Sequence, residues 1–389
     1  MEGEVSARRR YKETGRGSFF GDIVYDRVIP RTHFVVALEK LIDWERYSEL
    51  LIELYDGQGT EGRPPYDPVL IMKMIFMAYL YNISERAVED MVDYYLPVKW
   101  FVGLAVDEKA PDHSTLTKFR QRLLGNGRGA ALMAVFDDIL LQAIGQGIEM
   151  GDIQVLDSTH TCAHVNRIKD LLREQKGKPP RDPDARVVHK GRREVVDAEG
   201  KKRKRAITHR GYKTHVSINA KTGLVTSLIP ALGNTADNKA FPKLREHDRA
   251  LGLPTRIYAG DRAYDDTDIH ERLEQEGLHS GIKLHDYRTN KRDSNKERWE
   301  KLIESEEYQR GREARPGVEH PFGWVKAWEG FEVCRYLRLS RYSIQSIITF
   351  LVSNLKRIVK LLTGITFRKQ AKGRHAEVFQ PVYQSLPWA

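Results

Sequence analysis

Between Gly145 and Gly151 the hydrophobic pattern of this chain changes period, and that change constrains the fold more than any other feature. Before it, caps and breakers mark out helices; after it, short apolar runs that end in turn residues mark out strands alternating with helices. Such a switch predicts a helical domain followed by an α/β domain. With 389 residues and 40% hydrophobic content, the chain can bury a core in each.

In the first half, Phe34 to Tyr55 reads as one helix that stops at Asp56-Gly57-Gln58-Gly59. Asp67 can cap a helix with Pro68 at its first position, Ser84 the next before Glu85, and Ser114 a third that runs through Phe119 and Leu123. Pro68 to Tyr81 is strongly apolar, but Lys73 interrupts it and it falls short of the roughly 20 residues a bilayer needs, so it predicts a buried helix. Lys118, Arg120 and Arg122 give this domain a basic side that suits a helix-turn-helix relative docking on duplex DNA. A plain helical bundle with a solvated basic face accounts for the same residues equally well.

In the second half, Ile153–Asp157, Tyr212–Asn219, Leu224–Ile229, Arg256–Asp261 and Gly281–Leu284 read as strands, the second and third forming a hairpin around Lys221-Thr222-Gly223. Thr267 to Glu276 reads as a helix ended by Gly277. Ile344, Ile347, Ile348, Leu351, Leu355, Ile358, Val359 and Leu362 follow helical spacing, which predicts a long amphipathic helix covering the sheet. Residues 166–211 are inserted between the first two strands. The net charge is +10, and Lys169 to Lys213 alone holds sixteen Lys and Arg against seven Asp and Glu. The cluster Lys201, Lys202, Arg203, Lys204 and Arg205 predicts an irregular arm or hairpin over the site that clamps phosphates, with a solvated loop as the bland alternative. A nuclear-localisation reading of the same cluster is nonspecific.

Three acids carry the chemistry: Asp157 and Asp261 each close an apolar run, and Glu319 opens a helix that also carries Arg315 and Lys326. Magnesium prefers oxygen ligands and is commonly held by a few carboxylates together with substrate phosphates. An Asp after a strand is, taken alone, more often a turn residue or a helix cap. Glu319 and Lys326, however, are two helical turns apart and share a face, with Arg315 bordering it, which gives a metal-binding acid flanked by phosphate-binding cations. The set reads as a metal-dependent nuclease or strand-transfer site. His160, Cys162 and His164 alternate along an extended segment and imitate a zinc site, but no CxxC or HExxH accompanies them, so they read as a strand edge beside Asp157. Trp324 and Trp328 read first as packing against the sheet, with base stacking as the alternative. Cys162 and Cys334 are the only two cysteines, which gives no disulfide framework and fits a reducing cytosol. Arg8, Arg9, Arg10 and Lys12 are followed by no apolar stretch of a secretion signal.

At these residues the chain resembles the DDE transposases of bacterial insertion sequences, specifically the insertion-sequence-five group. Its first two acids match at Leu156-Asp157-Ser158-Thr159 and Gly260-Asp261-Arg262-Ala263-Tyr264, and its third at Glu319. The Tyr-Arg-Glu-Lys signature of the related insertion-sequence-four group is met in spacing by Arg315, Glu319 and Lys326, while its Tyr falls on Arg312. Gly62-Arg63-Pro64-Pro65-Tyr66-Asp67-Pro68 and Asp112-His113-Ser114-Thr115-Leu116-Thr117-Lys118-Phe119-Arg120 resemble the group's amino-terminal domain.

The resemblance implies an RNase H-like α/β catalytic domain at 150–365 with the basic insertion. A helical, helix-turn-helix-like DNA-binding domain at 60–145 precedes it, with a basic amino-terminal region at 1–59 and a tail at 366–389. It implies a transposase that binds the element's terminal repeats, cuts its ends and joins the 3′ hydroxyls to target DNA. Asp157, Asp261 and Glu319 would hold magnesium, with manganese able to substitute. Arg315, Lys326, the 201–205 cluster, Lys118 and Arg120 would contact DNA. Ser158 and Thr159 would orient their neighbour rather than attack. Double-stranded DNA would be the partner, no membrane would be involved, and a homodimer or larger assembly would form on paired ends in the bacterial cytoplasm. A nuclease that cannot join strands and a noncatalytic DNA-binding regulator are the rival readings.

Overall fold

A computed structural model describes residues 11–12, 14, 19–55, 64–125, 127, 129–196, 202–289 and 295–367. The helix stop at 56–59, Gly62 and Arg63, the arginines at 8–10, Lys201 and the tail from 368 onward lie outside the described residues. The chain forms two compact units, one of residues 1–147 together with 351–389 and one of residues 148–350.

The first unit holds helices α1 (Phe19–Val28), α2 (Phe34–Leu41), α3 (Arg46–Ile52), α4 (Pro68–Leu80), α5 (Glu85–Tyr94), α6 (Leu96–Val102), α7 (His113–Gly125) and α8 (Ala130–Gly145). The single helix expected over 34–55 is two. The chain turns extended at Ile42, and the Asp43 amide donates to Gln142 Oε1 of α8 at 2.8 Å, so a backbone donor that would continue the helix is satisfied elsewhere. The helix α4 is buried along its whole length, and Lys73 fits because its Nζ meets Glu39 Oε2 at 2.6 Å and lies over the rings of Trp44 and Phe101. Asp67 and Ser84 cap α4 and α5 by accepting from Val69 N and Ala87 N. The third expected cap differs: α7 starts at His113, and Asp112, not Ser114, is the capping side chain, its Oδ1 accepting from Ser114 N at 2.7 Å. Helices α1 and α2 pack on α6, and α3 packs on α4 and α8, so residues before 60 belong to the same helical body as those after it.

The second unit runs β1 (Ile153–Cys162), α9 (Arg167–Gln175), β2 (Arg186–Val196), β3 (Lys202–Asn219), β4 (Val225–Leu232), α10 (Phe241–Ala250), β5 (Ile257–Gly260), α11 (Thr267–Gln275), β6 (His279–Ile282), α12 (Lys296–Glu304), α13 (Glu306–Ala314), α14 (Glu319–Glu329) and α15 (Leu339–Thr363), the last passing into the first unit after Phe350. The sheet order is β2-β3-β1-β5-β6, with β4 also on β3. Strands β4, β3 and β1 pair antiparallel in sequence, and β1, β5 and β6 pair parallel through the crossover helices α10 and α11. This is the RNase H-like topology. Leu156 and Tyr258 pack with Phe241 and Leu244 of α10 and Ile269 and Leu273 of α11 on one face. On the other face Gly311 of α13 meets Gly281 of β6 so closely that a Cβ at Gly311 would stand 2.8 Å from the Gly281 Cα. There too the Tyr342 hydroxyl of α15 reaches Thr161 and Thr214, and its ring stacks on Tyr212 at 4.7 Å.

Three local expectations change. Asp157 lies in the middle of β1, not at its end, because antiparallel pairing with β3 carries the strand on to Cys162. The inserted segment is not irregular: it is α9 followed by the β2–β3 hairpin, and β3 begins ten residues earlier than expected, at Lys202. Buried acids anchor its base: Asp170 pairs with Arg210 at 3.1 Å, and Asp182 accepts from the Tyr212 hydroxyl at 2.5 Å and from Arg338 N at 3.1 Å. Arg315 does not share a helix with Glu319, since Pro316 and Gly317 sit in a tight 3-10 turn over Arg315–Val318 between α13 and α14.

Candidate active site

The parallel pairing of β1 with β5 fixes the site. Val155 and Ala259 are register partners, so Asp157 and Asp261, each two residues further, stand side by side where the parallel ladder ends and the strands diverge. Alternation along β1 puts Asp157 on the face of Val155 and Thr161, the face that α13 and α15 cover. Asp261 directly follows β5 and caps the short 3-10 turn Arg262–Tyr264, its Oδ1 accepting from Ala263 N at 2.9 Å. The loop beyond is held by buried Asp265, which takes His285 N at 2.6 Å, His270 Nε2 at 3.1 Å and Arg288 Nη2 at 3.3 Å. Arg262, next to Asp261, is committed to Asp286, with Nη1 to Oδ2 at 3.0 Å.

The site carries excess negative charge. Asp157 has its pKa pushed up to about 6, first by burial and further by the carboxylates of Asp261 and Asp237; the Ser158 amide, 2.7 Å from Asp157 Oδ1, and the Arg315 guanidinium pull the other way. Arg315, delivered by the turn after α13, places Nη2 3.9 Å from Asp261 Oδ2. Buried nitrogens of Arg312 and Arg315 find no partner among the described residues. Two neighbouring carboxylates where the parallel strands end, a hard-oxygen donor set that raises the pKa of one of them, suit a divalent cation.

Glu319 is the first residue of α14; its side chain lies outside the described residues. Lys326 lies on the same helix and lowers the pKa of the Cys162 thiol, which burial and Glu332 otherwise raise. Cys162 is five residues along β1 from Asp157, about 16 Å at roughly 3.3 Å per residue. Trp324 and Trp328 do not pack against the sheet as expected. They are 55% and 47% exposed with ring centroids 6.4 Å apart, while Val325 and Glu329 take the buried side of α14.

A cluster that the sequence does not announce stands beside Asp157. Asp237, on the loop between β4 and α10, receives Lys213 Nζ on Oδ2 at 2.6 Å, and His215 Nδ1 lies 3.1 Å from Oδ1 but off the angle of a hydrogen bond, so that the buried Oδ1 has no hydrogen-bond partner among the described residues. Burial works against ionising Asp237, yet these donors and the Lys213 charge hold its pKa well below the usual carboxylate range. The legible signal was Lys213, Thr214 and His215 in succession within a strand flanked on both sides by others.

The remaining expected contacts fall elsewhere. Lys118 is exposed on α7, whereas Arg120 is paired with Glu85, whose other oxygen accepts from the Thr117 hydroxyl at 2.7 Å. Lys202 and Lys204 are exposed on β3; the side chains of Arg203 and Arg205 lie outside the described residues. His160 is buried, with its ring stacked on His209 at 6.0 Å, and Cys162 Sγ is 3.8 Å from His209 Nδ1, a stack that does not converge on one ion. Among the described residues, three potential ligand atoms come within 4.8 Å of one another at Glu89, Asp112 and His113. There Glu89 already takes the His113 amide at 2.9 Å and Asp112 the Ser114 amide, the work of capping α7.

Residues 151–355 match the family described as Transposase DDE domain, and residues 23–122 the family described as Transposase domain (DUF772). A cryo-EM structure of a piggyBac transposase synaptic complex with hairpin DNA is similar over 90% of this chain and 76% of that one, at 12% identity and a TM-score of 0.38, a likeness too distant to carry an argument. No helix among the described residues is long and apolar enough to cross a membrane.

Proposed function

Since the chain belongs to the transposase DDE-domain family, whose match spans more than half of it, we propose that it binds the terminal repeats of a bacterial insertion sequence, cleaves at the element's ends and transfers the 3′ hydroxyls into target DNA. The observation that carries this reading is the pair Asp157 and Asp261, each two residues beyond the register partners Val155 and Ala259 of the parallel strands β1 and β5, with Arg315 near Asp261. The spacing of Arg315, Glu319 and Lys326 supports placement in the insertion-sequence-five group and its relatives.

Asp157, Asp261 and Glu319 would hold magnesium, or manganese in its place. Bound there, a pair of such ions supplies activation of the attacking oxygen and stabilisation of the leaving one during in-line displacement. The chain's own groups do the rest. Arg315 binds the phosphate nearest the acids, and its charge, which already offsets Asp157 and Asp261, is balanced by the substrate. Lys326 binds a phosphate further along the strand. The buried loop around Asp265 keeps Asp261 in place as DNA enters. No side chain need act as nucleophile: water serves for cutting and the terminal 3′ hydroxyl for joining. The helical unit, with Lys118 on the exposed side of α7, and the β2–β3 arm supply sequence-reading and phosphate contacts on duplex DNA, and paired ends call for at least two copies.

The test incubates the full chain with magnesium and duplexes carrying the element's ends. Nicked and joined products are expected. Asp157→Ala, Asp261→Ala and Glu319→Ala should each abolish both while leaving DNA binding largely intact. Near-normal cleavage by any one of them removes that residue from the site, and nicking without joined product reduces the protein to a nuclease.

A further inference from the structure

We propose that His285 and Tyr287 form a stacking ledge for an unpaired nucleobase, that of the nucleotide next to the scissile phosphate. The inference rests on the reading of Asp157 and Asp261 as the place where the strand is cut.

The ledge belongs to the chain that leaves β6. Gly260 and Ile282 are register partners on the parallel strands β5 and β6, so Asp261 and Lys283 directly follow neighbouring strand ends, and Lys283 N donates to Gly260 O at 3.0 Å. The segment beyond is tied to the turn that Asp261 opens. Its His285 amide donates to Asp265 Oδ2 at 2.6 Å, and Arg262 Nη1 donates to Asp286 Oδ2 at 3.0 Å. The backbone that carries both rings is thereby fixed against the residues on either side of Ala263 and Tyr264, one turn from Asp261. Buried Arg288 sets its guanidinium 4.6 Å from the Trp299 ring centre and 5.5 Å from that of Tyr287, which braces the tyrosine from the buried side.

The two rings are themselves ordered. Those of His285 and Tyr287 stack with centroids 5.3 Å apart and planes 14° from parallel, and Tyr287 is 57% exposed. Scattered exposed aromatics need no explanation. This one differs in being pre-oriented, which lowers the ordering cost of binding a flat partner, and in standing on the strand ends that carry Asp261 and the exposed Lys283. A nucleobase is the flat partner that extends such a stack, because every base presents a π face, and an ammonium close by suits the phosphate attached to it. The other exposed aromatic pair, Trp324 and Trp328, is tilted by 41° and offers no such flush surface.

The experiment measures binding of the full chain to a duplex carrying the element's end, with Ca2+ in place of Mg2+ to hold back cutting. The nucleotide beside the cut site is either a mismatched adenosine, whose base unpairs at little cost, or an abasic sugar. Tyr287→Ala should weaken binding to the mismatched duplex about tenfold, in keeping with the loss of one stacked base. Tyr287→Phe and Tyr287→Trp, which keep a ring, should bind like the unmodified chain. On the abasic duplex the unmodified chain and Tyr287→Ala should bind alike, since the same contact cannot be lost twice. Thermal unfolding checks that each variant is folded. A folded Tyr287→Ala that binds the mismatched duplex as tightly as the unmodified chain, or loses the same factor on both duplexes, overturns the ledge. If that variant does not fold, the unmodified chain decides alone: equal affinity for the mismatched and abasic duplexes overturns the ledge. An unmodified chain that neither prefers the element's end to random duplex nor nicks it with Mg2+ overturns the reading of the site, and the ledge with it.

Discussion

Asp157→Asn should make the metal-free protein more stable at neutral pH. The Asp157 pKa rises from an ordinary 3.8 to about 6, chiefly through burial and then through Asp261 and Asp237. Between those two values the folded chain keeps a proton that the unfolded chain has released, so stability falls as pH rises through that window. The full cost applies above it. Two pH units at about 1.36 kcal/mol each give roughly 3 kcal/mol, and partial solvent access to the carboxylate trims this to about 2 kcal/mol. Asparagine keeps an oxygen for the Ser158 amide and carries no charge, so it removes the cost with little else disturbed. For a unit of about 200 residues, roughly 2–4 °C per kcal/mol predicts an unfolding midpoint about 5 °C higher at pH 7.5 with a chelator present. The gain should shrink toward zero near pH 4, where the native Asp157 is itself neutral. Adding Mg2+ should raise the midpoint of the unmodified chain and leave that of the variant behind, because an ion that binds only the folded form stabilises it in proportion to its affinity. A midpoint at pH 7.5 that is unchanged or lowered, or a gain of the same size at pH 4, would refute the reasoning.

Replacing Lys201, Lys202, Arg203, Lys204 and Arg205 with Ala should flatten the salt dependence of duplex binding by roughly 0.9 in log–log slope for each phosphate the arm no longer neutralises; an unchanged slope in a folded variant would make the arm a solvated hairpin. Arg120→Ala should lower the unfolding midpoint of the helical unit, costing about 1–3 kcal/mol by leaving Glu85 half-paired, whereas Lys118→Ala should weaken DNA binding with the midpoint unmoved. The reverse pattern, read by calorimetry and a binding titration, would exchange their roles. Gly311→Ala should destabilise the second unit by about 1–3 kcal/mol, since the added methyl meets the Gly281 backbone, and hydrogen exchange in β5 and β6 should quicken; protection equal to that of the unmodified chain would show that α13 can shift at no cost.

Which of these features the sequence disclosed follows from how local each one is. The caps at Asp67 and Ser84 and the buried run of α4 were legible because a capping side chain and an apolar stretch act within one turn of themselves. The hairpin around Lys221-Thr222-Gly223 was legible for the same reason, with Gly223 in the left-handed region at φ 69°. The split of the 34–55 helix was not, since it depends on Gln142, about a hundred residues away. Asp157 and Asp261 could be named from the runs they follow, but their adjacency comes from a parallel register that no local pattern states. Asp237 stayed hidden because its meaning lies wholly in partners from β3. The arm read as irregular because its basic residues fall on both sides of the strand and mask alternation, while the backbone ladder forms regardless of them.

Strand β3 is one continuous element from Lys202 to Asn219, and Val216 within it is the register partner of Asp157. Fourteen residues separate Lys202 from Val216, a reach of at most about 45 Å at roughly 3.3 Å per residue. Laid along B-form DNA at about 3.4 Å per base pair, that reach covers about 13 base pairs, so under the proposed function the arm would work as a ruler whose far end touches the duplex a fixed distance from the cut. Footprinting should find its protection ending within that span, and shortening both arm strands together by two residues should draw the boundary inward by about two base pairs.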